Sequence, residues 1–268
     1  MKPLNALLLV LCLFFSGLVR PRQGFAAAPK RDLFALRVYH LQSREQADRL
    51  DNYLQRAYLP ALHRAGVGKV GVFKQNENTA AGAPAPAEQL VFVLIPCASA
   101  EQYTKMSLGL DADKTYQNEA RDYLNTAFDN PVYARIETVL LLAFTGMPTF
   151  HVPALQSAPA ERVYELRSYE GASEKLHQNK VAQFNNAEIG IFRRLGFNTV
   201  FCGQVVAGSR MPNLMYLSTF EIQAAQEAHW QAFQDDAEWK KLSAMPEYAH
   251  NLLRMDKYML HPAAYSEI

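Results

Sequence analysis

The 268-residue chain lacks the motifs that most readily reveal chemistry. It has no Cys-x-x-Cys or His-x-x-x-His pair, no glycine-rich phosphate loop with its lysine, and no Gly-x-Ser-x-Gly turn. The common zinc, nucleotide and serine-hydrolase sites are therefore not indicated. The seven histidines are scattered along the chain, so we predict no metal site and no cofactor. With 27 basic and 26 acidic side chains, the sequence also offers no basic surface for a nucleic acid.

Cysteine is scarce as well, with three residues in the chain. Cys97 and Cys202 lie outside the N-terminal segment, each in or beside an apolar strand. An exported protein could join them in a disulfide. Because they occupy non-equivalent places in the two halves of the chain, we expect buried free thiols instead.

The first 28 residues are predicted to be a signal peptide. Lys2 precedes an almost wholly apolar run over 4–19, and the small residues after it allow cleavage after Ala26 or after Ala28. Cleavage after Ala28 would place Pro29 next to the cut, so we expect cleavage after Ala26. The alternative is an uncleaved anchor, although the run is shorter than the roughly 20 residues of a membrane span. Cleavage after Ala26 would leave 24 basic and 26 acidic side chains, a net charge of −2. The predicted signal peptide leads us to expect an exported protein, periplasmic or secreted, with no stable membrane span after cleavage.

The remainder of the chain contains an internal repeat. The segment Leu36-Arg37-Val38-Tyr39 recurs 130 positions later as Leu166-Arg167-Ser168-Tyr169, and the same gapless shift carries Gly66 onto Gly196. A repeat of this length is the size of a small domain. We predict an N-terminal module at 29–145, a proline-containing linker at 146–160 and a C-terminal module at 161–268; these are called module one and module two.

Each module has the element order β-α-β-β-α-β, the ferredoxin-like motif of the α+β class. In both, a serine (Ser43, Ser173) precedes a long amphipathic helix that ends at a glycine, and Pro60 should kink or break the first of these helices. Such a module leaves one face of its sheet uncovered. The sequence therefore predicts two tandem ferredoxin-like modules packed sheet to sheet, as an intramolecular version of a dimeric α/β barrel.

Module two resembles the NIPSNAP family of the dimeric α/β-barrel superfamily. The resemblance rests on Val163–Tyr169 at its start and on His229-Trp230-Gln231-Ala232-Phe233, followed by Asp235 and Glu238-Trp239-Lys240. Module one retains Leu36-Arg37 and Tyr39 but has Ala35 where module two has a glutamate, and it lacks the tryptophan-bearing segment. It resembles a diverged copy.

The resemblance implies the fold more strongly than it implies a function. NIPSNAP proteins are linked to membrane traffic and mitochondrial signalling without an agreed reaction. The superfamily also includes cofactor-free oxygenases, haem-degrading enzymes and isomerases, so the fold permits catalysis without requiring it. Haem binding needs a single axial histidine, and counting histidines leaves that option open.

Strand alternation selects a set of candidate ligand-binding residues. If the apolar residues of the first strand in each module meet the helices, the intervening polar residues face the barrel interior. These residues are Arg37, Tyr39, Glu165, Arg167 and Tyr169. They could hold an anionic or carbonyl-bearing ligand; alternatively, Glu165 and Arg167 pair with each other or with Asp256 in a buried network. Since Ala35 provides no carboxylate, Arg37 is the arginine we expect to be left for a ligand.

Two function classes stay open at this point. The first is an exported NIPSNAP-like protein that binds a small molecule or a partner protein through the barrel interior. The alternative is a cofactor-independent oxygenase or isomerase acting on a small metabolite, with His177 and His229 as candidates for a catalytic base. A sealed barrel favours binding, whereas an open pocket that reaches either histidine favours catalysis. A homo-oligomer is compatible with both.

Overall fold

The computed structural model describes residues 30–76 and 88–268, so the predicted signal segment and most of the predicted loop at 76–89 lie outside the described residues. Within these described ranges, eight strands form one sheet. Their bounds are β1 Leu33–Leu41, β2 Gly71–Gln75, β3 Gln89–Cys97, β4 Arg135–Ala143, β5 Val163–Glu170, β6 Asn198–Ala207, β7 Asn213–Phe220 and β8 Arg254–Pro262. The segment between β4 and β5 has irregular backbone, as expected of a linker, and the exact module boundaries stay a prediction.

The sheet closes into a barrel with the strand order β1-β3-β2-β8-β5-β7-β6-β4. Within each module the order is that of the ferredoxin-like motif, and every pairing is antiparallel. Two further pairings join the modules: β2 with β8 at Phe73↔Pro262, and β4 with β6 at Leu141↔Val205. The predicted α+β fold of two modules packed sheet to sheet is thereby confirmed.

Helices cover the outside of the barrel. Their bounds are α1 Arg44–Tyr53, α2 Leu59–Arg64, α3 Ala100–Gly109, α4 Lys114–Glu119, α5 Arg121–Leu124, α6 Glu174–Gln183, α7 Ile189–Arg194, α8 Gln223–Asp235 and α9 Ala237–Ser243. Ser43 and Ser173 cap α1 and α6 as expected, each accepting a hydrogen bond from the backbone N–H three residues on. Both modules end this helix pair at a glycine with positive φ, 83° at Gly66 and 78° at Gly196.

A π-helical turn joins the two helices of each pair, over Leu54–Tyr58 in module one and Phe184–Glu188 in module two. Pro60 lies at the start of α2 just after the first of these turns, so the helix is widened there rather than broken. Module two has the same turn with Gly190 at the equivalent position. The π turn therefore belongs to the shared fold and does not depend on the proline.

The barrel interior is filled by apolar side chains from both modules. Phe34 of β1 lies 4.9 Å from Phe201 of β6, and Phe73 of β2 lies 4.7 Å from Tyr164 of β5, measured between ring centroids. Leu36, Val38 and Leu166 belong to the same buried cluster. Small eight-stranded barrels are commonly filled by their own side chains in this way.

The expected orientation of the two first strands was wrong. Arg37, Tyr39, Glu165, Arg167 and Tyr169 lie between the sheet and the helices, and the apolar residues that alternate with them fill the barrel. The reason is that both faces of a closed, helix-covered barrel are buried. Alternation then separates two sets of residues without showing which set lies inside.

Cys97 and Cys202 are buried free thiols, as expected. Within the described ranges 30–76 and 88–268, none of the helices combines the length and the apolar character needed to span a bilayer.

Candidate functional site

Module two has a cleft of about 690 Å³ between its sheet and its helices. It lies outside the barrel, and β5, α6, the following π turn, α8 and α9 all contribute to its wall. Its inner wall is formed by buried or half-buried side chains: Arg167, Tyr169, Lys180, Gln183, Glu188, Gln226, Trp230, Phe233, Trp239 and Asn251. Exposed residues such as Glu227 and Lys257 surround the mouth. The volume lies in the range of small-molecule sites.

Glu165 organises the wall nearest the sheet. Its fully buried carboxylate accepts hydrogen bonds from Arg167 Nε at 2.5 Å, Gln226 Nε2 at 2.5 Å and Trp230 Nε1 at 2.6 Å. The Arg167 guanidinium also lies 3.5 Å from the centroid of the Trp230 ring. Period-two alternation places Glu165 and Arg167 on the same face of β5. The predicted pairing of Glu165 with Arg167 is therefore present, whereas Asp256 pairs with Arg210 and Arg254 instead.

A second buried ion pair lies across the cleft. Lys180 Nζ is 3.1 Å from Glu188 Oε2 and donates to Gln183 Oε1 at 2.9 Å. Burial raises the pKa of the Glu188 carboxyl above its usual value, and the ammonium of Lys180 opposes that shift. The Gln183 oxygen also accepts a hydrogen bond from Asn251 Nδ2 at 3.2 Å. The floor of the cleft is thus a connected polar network, built on α6 and the π turn.

The π turn explains how Lys180 and Glu188 meet. In an ideal α-helix, residues eight apart differ by about 80° in direction, because each residue turns by about 100°. The wider turn over Phe184–Glu188 rotates the chain less per residue and brings Glu188 back onto the face of Lys180.

Module one provides an internal comparison, because the 130-residue shift relates the two walls position by position. The positions of Lys180, Gln183 and Glu188 are occupied there by Leu50, Tyr53 and Tyr58. Tyr53 stacks on Tyr58 at 5.6 Å between ring centroids. It also stacks on Tyr123 at 3.5 Å and donates to or accepts from Tyr116 at 2.9 Å between hydroxyl oxygens. Aromatic rings thus pack in module one where module two has its polar floor.

Arg37 lies within this tyrosine cluster. It donates to the Tyr58 hydroxyl at 2.8 Å and lies 5.4 Å from the centroid of the Tyr39 ring. Ala35 provides no carboxylate, and Tyr39 and Tyr58 lie against the guanidinium instead. Arg167 and Tyr169, not Arg37 and Tyr39, border the module-two cleft. A ligand-binding role for these five residues stays a prediction.

Neither candidate histidine borders the module-two cleft. The Nδ1 atom of His229 lies 2.7 Å from the Ala225 carbonyl oxygen, and its ring packs against Phe197 and Phe220. His177 is buried on α6. Their positions give no support to a role as a catalytic base in this cleft.

We expect the buried His177 to make stability depend on pH. Burial lowers the pKa of its imidazole below the usual 6.5, so the unfolded chain binds this proton more readily than the folded chain. The free energy of unfolding should therefore fall as pH drops below about 6.5. Urea unfolding at about pH 7.5 and pH 5 should show a smaller pH dependence in His177→Gln than in the wild type. The exposed His151→Gln is the control; an equal pH dependence in wild type and His177→Gln would contradict the assignment.

Sequence reasoning missed Lys180, Gln183, Glu188, Gln226 and Asn251. A signal for the first three was available, because the 130-residue shift aligns these polar helix residues of module two with apolar or aromatic residues of module one. Gln226 and Asn251 had no such signal, because the later parts of the modules do not share the gapless shift.

Fold and site together define an intramolecular dimeric α/β barrel with a cleft in its C-terminal half. The NIPSNAP family model matches residues 164–267, so module two contains a NIPSNAP domain. No curated protein matches the sequence.

Solved structures share the architecture at low sequence identity. A candidate monooxygenase from Fusobacterium nucleatum is 6% identical with a TM-score of 0.53, covering 88% of this chain and 94% of its own. An anthrone oxidase-like protein is 11% identical with a TM-score of 0.52, covering 88% and 92%. A NIPSNAP-like domain protein from Burkholderia xenovorans is 16% identical with a TM-score of 0.37, covering 41% of this chain and 91% of its own. At these identities the first two likenesses show the fold alone.

Proposed function

We propose that this protein binds a small molecule in the module-two cleft. The observation that carries the proposal is the contrast between the modules. Module two maintains buried Lys180 and Glu188 around an open cleft, at the positions where module one packs Leu50 and Tyr58. Burying an ion pair is costly compared with packing apolar groups of similar volume. Module one shows that the fold accommodates apolar and aromatic residues at these positions. Ligand binding therefore explains the polar wall of module two better than a contribution to stability does.

Native mass spectrometry of protein purified from its own host tests this proposal. We expect a retained small molecule on the wild type. The triple variant Lys180→Leu/Gln183→Tyr/Glu188→Tyr, which copies the module-one residues into module two, should lose it. Circular dichroism checks that the variant is folded.

A second variant covers the case in which the triple variant does not fold. Ser243→Phe adds a ring at an exposed position of the cleft wall, and it should also displace the molecule. Ser107→Phe makes the same change at an exposed position of α3 and should retain it. A ligand that survives on both blocked variants would contradict the proposal.

The alternative is a cofactor-independent enzyme, and one observation favours keeping it. Glu188, whose pKa is raised by burial, borders the same cleft together with Tyr169 and Lys180. Ionisable groups with shifted pKa values in a cleft are typical of catalytic sites as well as of binding sites. Two solved structures of the same fold are described as a monooxygenase candidate and as anthrone oxidase-like, which is a precedent for catalysis on this fold. Incubating the protein with its isolated ligand in air decides between the two: unchanged ligand supports binding, and a new product supports catalysis.

We also infer export from the N-terminal segment. The support is the sequence of residues 1–28 alone, with its basic start, its apolar run and the small residues Gly24 and Ala26 to Ala28 around the cleavage site. Fractionation of the host cells, followed by N-terminal sequencing, should find a chain that begins at Ala27 outside the cytoplasm. A full-length chain in the cytoplasm would contradict the inference.

A further inference from the structure

We propose that the cleft selects an uncharged, flat ring that carries a hydrogen-bond donor next to an acceptor, as in the edge of a lactam. This inference rests on the proposed function and narrows it from a small molecule to one chemical class. Three features of the cleft wall carry the argument: its charge balance, the free atoms of two amide side chains, and its aromatic residues.

Charge balance argues against an anionic ligand. On the inner wall, Arg167 contacts the Glu165 carboxylate at 2.5 Å and Lys180 contacts the Glu188 carboxylate at 3.1 Å. Each buried cation therefore already has a carboxylate partner. An anion would have to compete with these carboxylates and would leave one of them unpaired in a buried position, which is costly. At the mouth, Lys257 is accompanied by Glu227, so no excess of positive charge attracts an anion there.

Gln183 and Asn251 determine the hydrogen-bonding pattern. Gln183 Oε1 accepts from Lys180 Nζ and from Asn251 Nδ2, at 2.9 and 3.2 Å. Asn251 Nδ2 also donates to Asn179 Oδ1 at 2.9 Å. Within residues 30–76 and 88–268, these contacts leave the Gln183 Nε2 donor and the Asn251 Oδ1 acceptor without a protein partner, on neighbouring side chains of the cleft wall. Neither atom is fully buried, so both are open to water in the cleft. A ligand group that displaces this water without replacing its hydrogen bonds loses affinity, so a ligand that pairs with both atoms is preferred. A lactam pairs its carbonyl oxygen with the first and its N–H with the second.

The aromatic residues favour a flat ligand. Trp230, Trp239 and Tyr248 border the cleft, and neighbouring groups hold the two tryptophans in place. Arg167 covers one face of Trp230 at 3.5 Å, and Phe233 lies 4.4 Å from Trp239 between ring centroids. Fixed aromatic rings contribute most to binding when another ring packs against them. A cleft of about 690 Å³ accommodates a two-ring compound with substituents.

Isothermal titration of the purified protein with three matched compounds tests the inference. The compounds are 2-quinolone, which has the lactam edge, N-methyl-2-quinolone, which lacks the N–H, and quinoline-2-carboxylate, an anion of similar size. We expect 2-quinolone to bind about tenfold or more tightly than either of the others. Equal or tighter binding of the carboxylate would overturn the inference.

Isosteric variants connect the preference to the two amides. Asn251→Leu removes the Oδ1 acceptor and nearly keeps the shape of the side chain, and Gln183→Glu replaces the Nε2 donor by an oxygen. Each should weaken 2-quinolone binding about tenfold or more. Gln178→Glu makes the same change at an exposed position of α6 and should leave binding unchanged. Two amide variants that both bind like the wild type would contradict the assignment.

A failure of the lactam assignment can be distinguished from a failure of the proposed function. If none of the three compounds binds while native mass spectrometry still finds a retained molecule that the blocked variants lose, the cleft is a binding site and the lactam assignment is wrong. If no molecule is retained and no compound binds, both proposals fail.

Discussion

Replacing Glu165 by alanine is expected to lower the free energy of unfolding by about 3–5 kcal/mol, the usual cost of removing one partner from a buried ion pair. The carboxylate is completely buried and accepts three hydrogen bonds, from Arg167, Gln226 and Trp230. Its removal leaves the Arg167 guanidinium without a counter-ion between the sheet and α8. Urea denaturation followed by circular dichroism measures the loss.

Two controls separate the buried pair from a general effect of losing a carboxylate. The double variant Glu165→Ala/Arg167→Met removes the unpaired cation and should recover part of the loss, because the two side chains interact directly. Glu101→Ala removes an exposed carboxylate that pairs with Lys105 on α3, and it should change stability by no more than about 0.5 kcal/mol. A loss below about 1 kcal/mol for Glu165→Ala would contradict the described burial.

Phe201→Ala should be similarly destabilising, by about 3–5 kcal/mol, because it leaves a cavity in the centre of the barrel. Phe201 is completely buried on β6 of module two, and its ring lies 4.9 Å from Phe34 on β1 of module one. Thermal unfolding should show one cooperative transition moved to lower temperature, since the cavity affects the shared interior of both modules. The matched control is Phe128→Ala, whose side chain is fully exposed and whose loss should cost less than about 0.5 kcal/mol. Two separate transitions, with only the module-two transition shifted, would contradict a shared core.

The architecture could be predicted from the sequence because the repeat is a long-range signal. A gapless 130-residue shift through the first strand and helix of each module, ending on Gly66 and Gly196, indicates two copies of one fold. Each ferredoxin-like copy leaves one sheet face uncovered, so a sheet-to-sheet arrangement follows from the need to bury that face. The closed strand order confirms it.

The direction of the strand faces could not be predicted in the same way. Leu36 and Arg37 alternate in either orientation, and in this fold both faces of the strand are covered. The decisive information is the polar composition of the helices outside, such as Gln226 and Trp230 of α8, which provide partners for Glu165. Those partners are about 60 residues away in sequence, and only the tertiary structure brings them together.

The candidate site, too, could be predicted from the sequence only in part. Arg167 and Tyr169 were identified from the strand pattern, and they border a cleft on the other side of the sheet from the one expected. Lys180 and Glu188 were missed because a regular α-helix would place them on different faces. The π turn that reunites them has no signal in residue periodicity.

The most direct test of the central claim, that the ligand site lies in the module-two cleft and not in the barrel, is ¹⁹F NMR of protein labelled with 5-fluorotryptophan. The chain has two tryptophans, Trp230 and Trp239, and both border the cleft. The spectrum should contain two resonances, and both should move when the molecule recovered from the host protein is added back to protein freed of it. If the molecule binds and neither resonance moves, its site lies elsewhere in the protein and the account is contradicted.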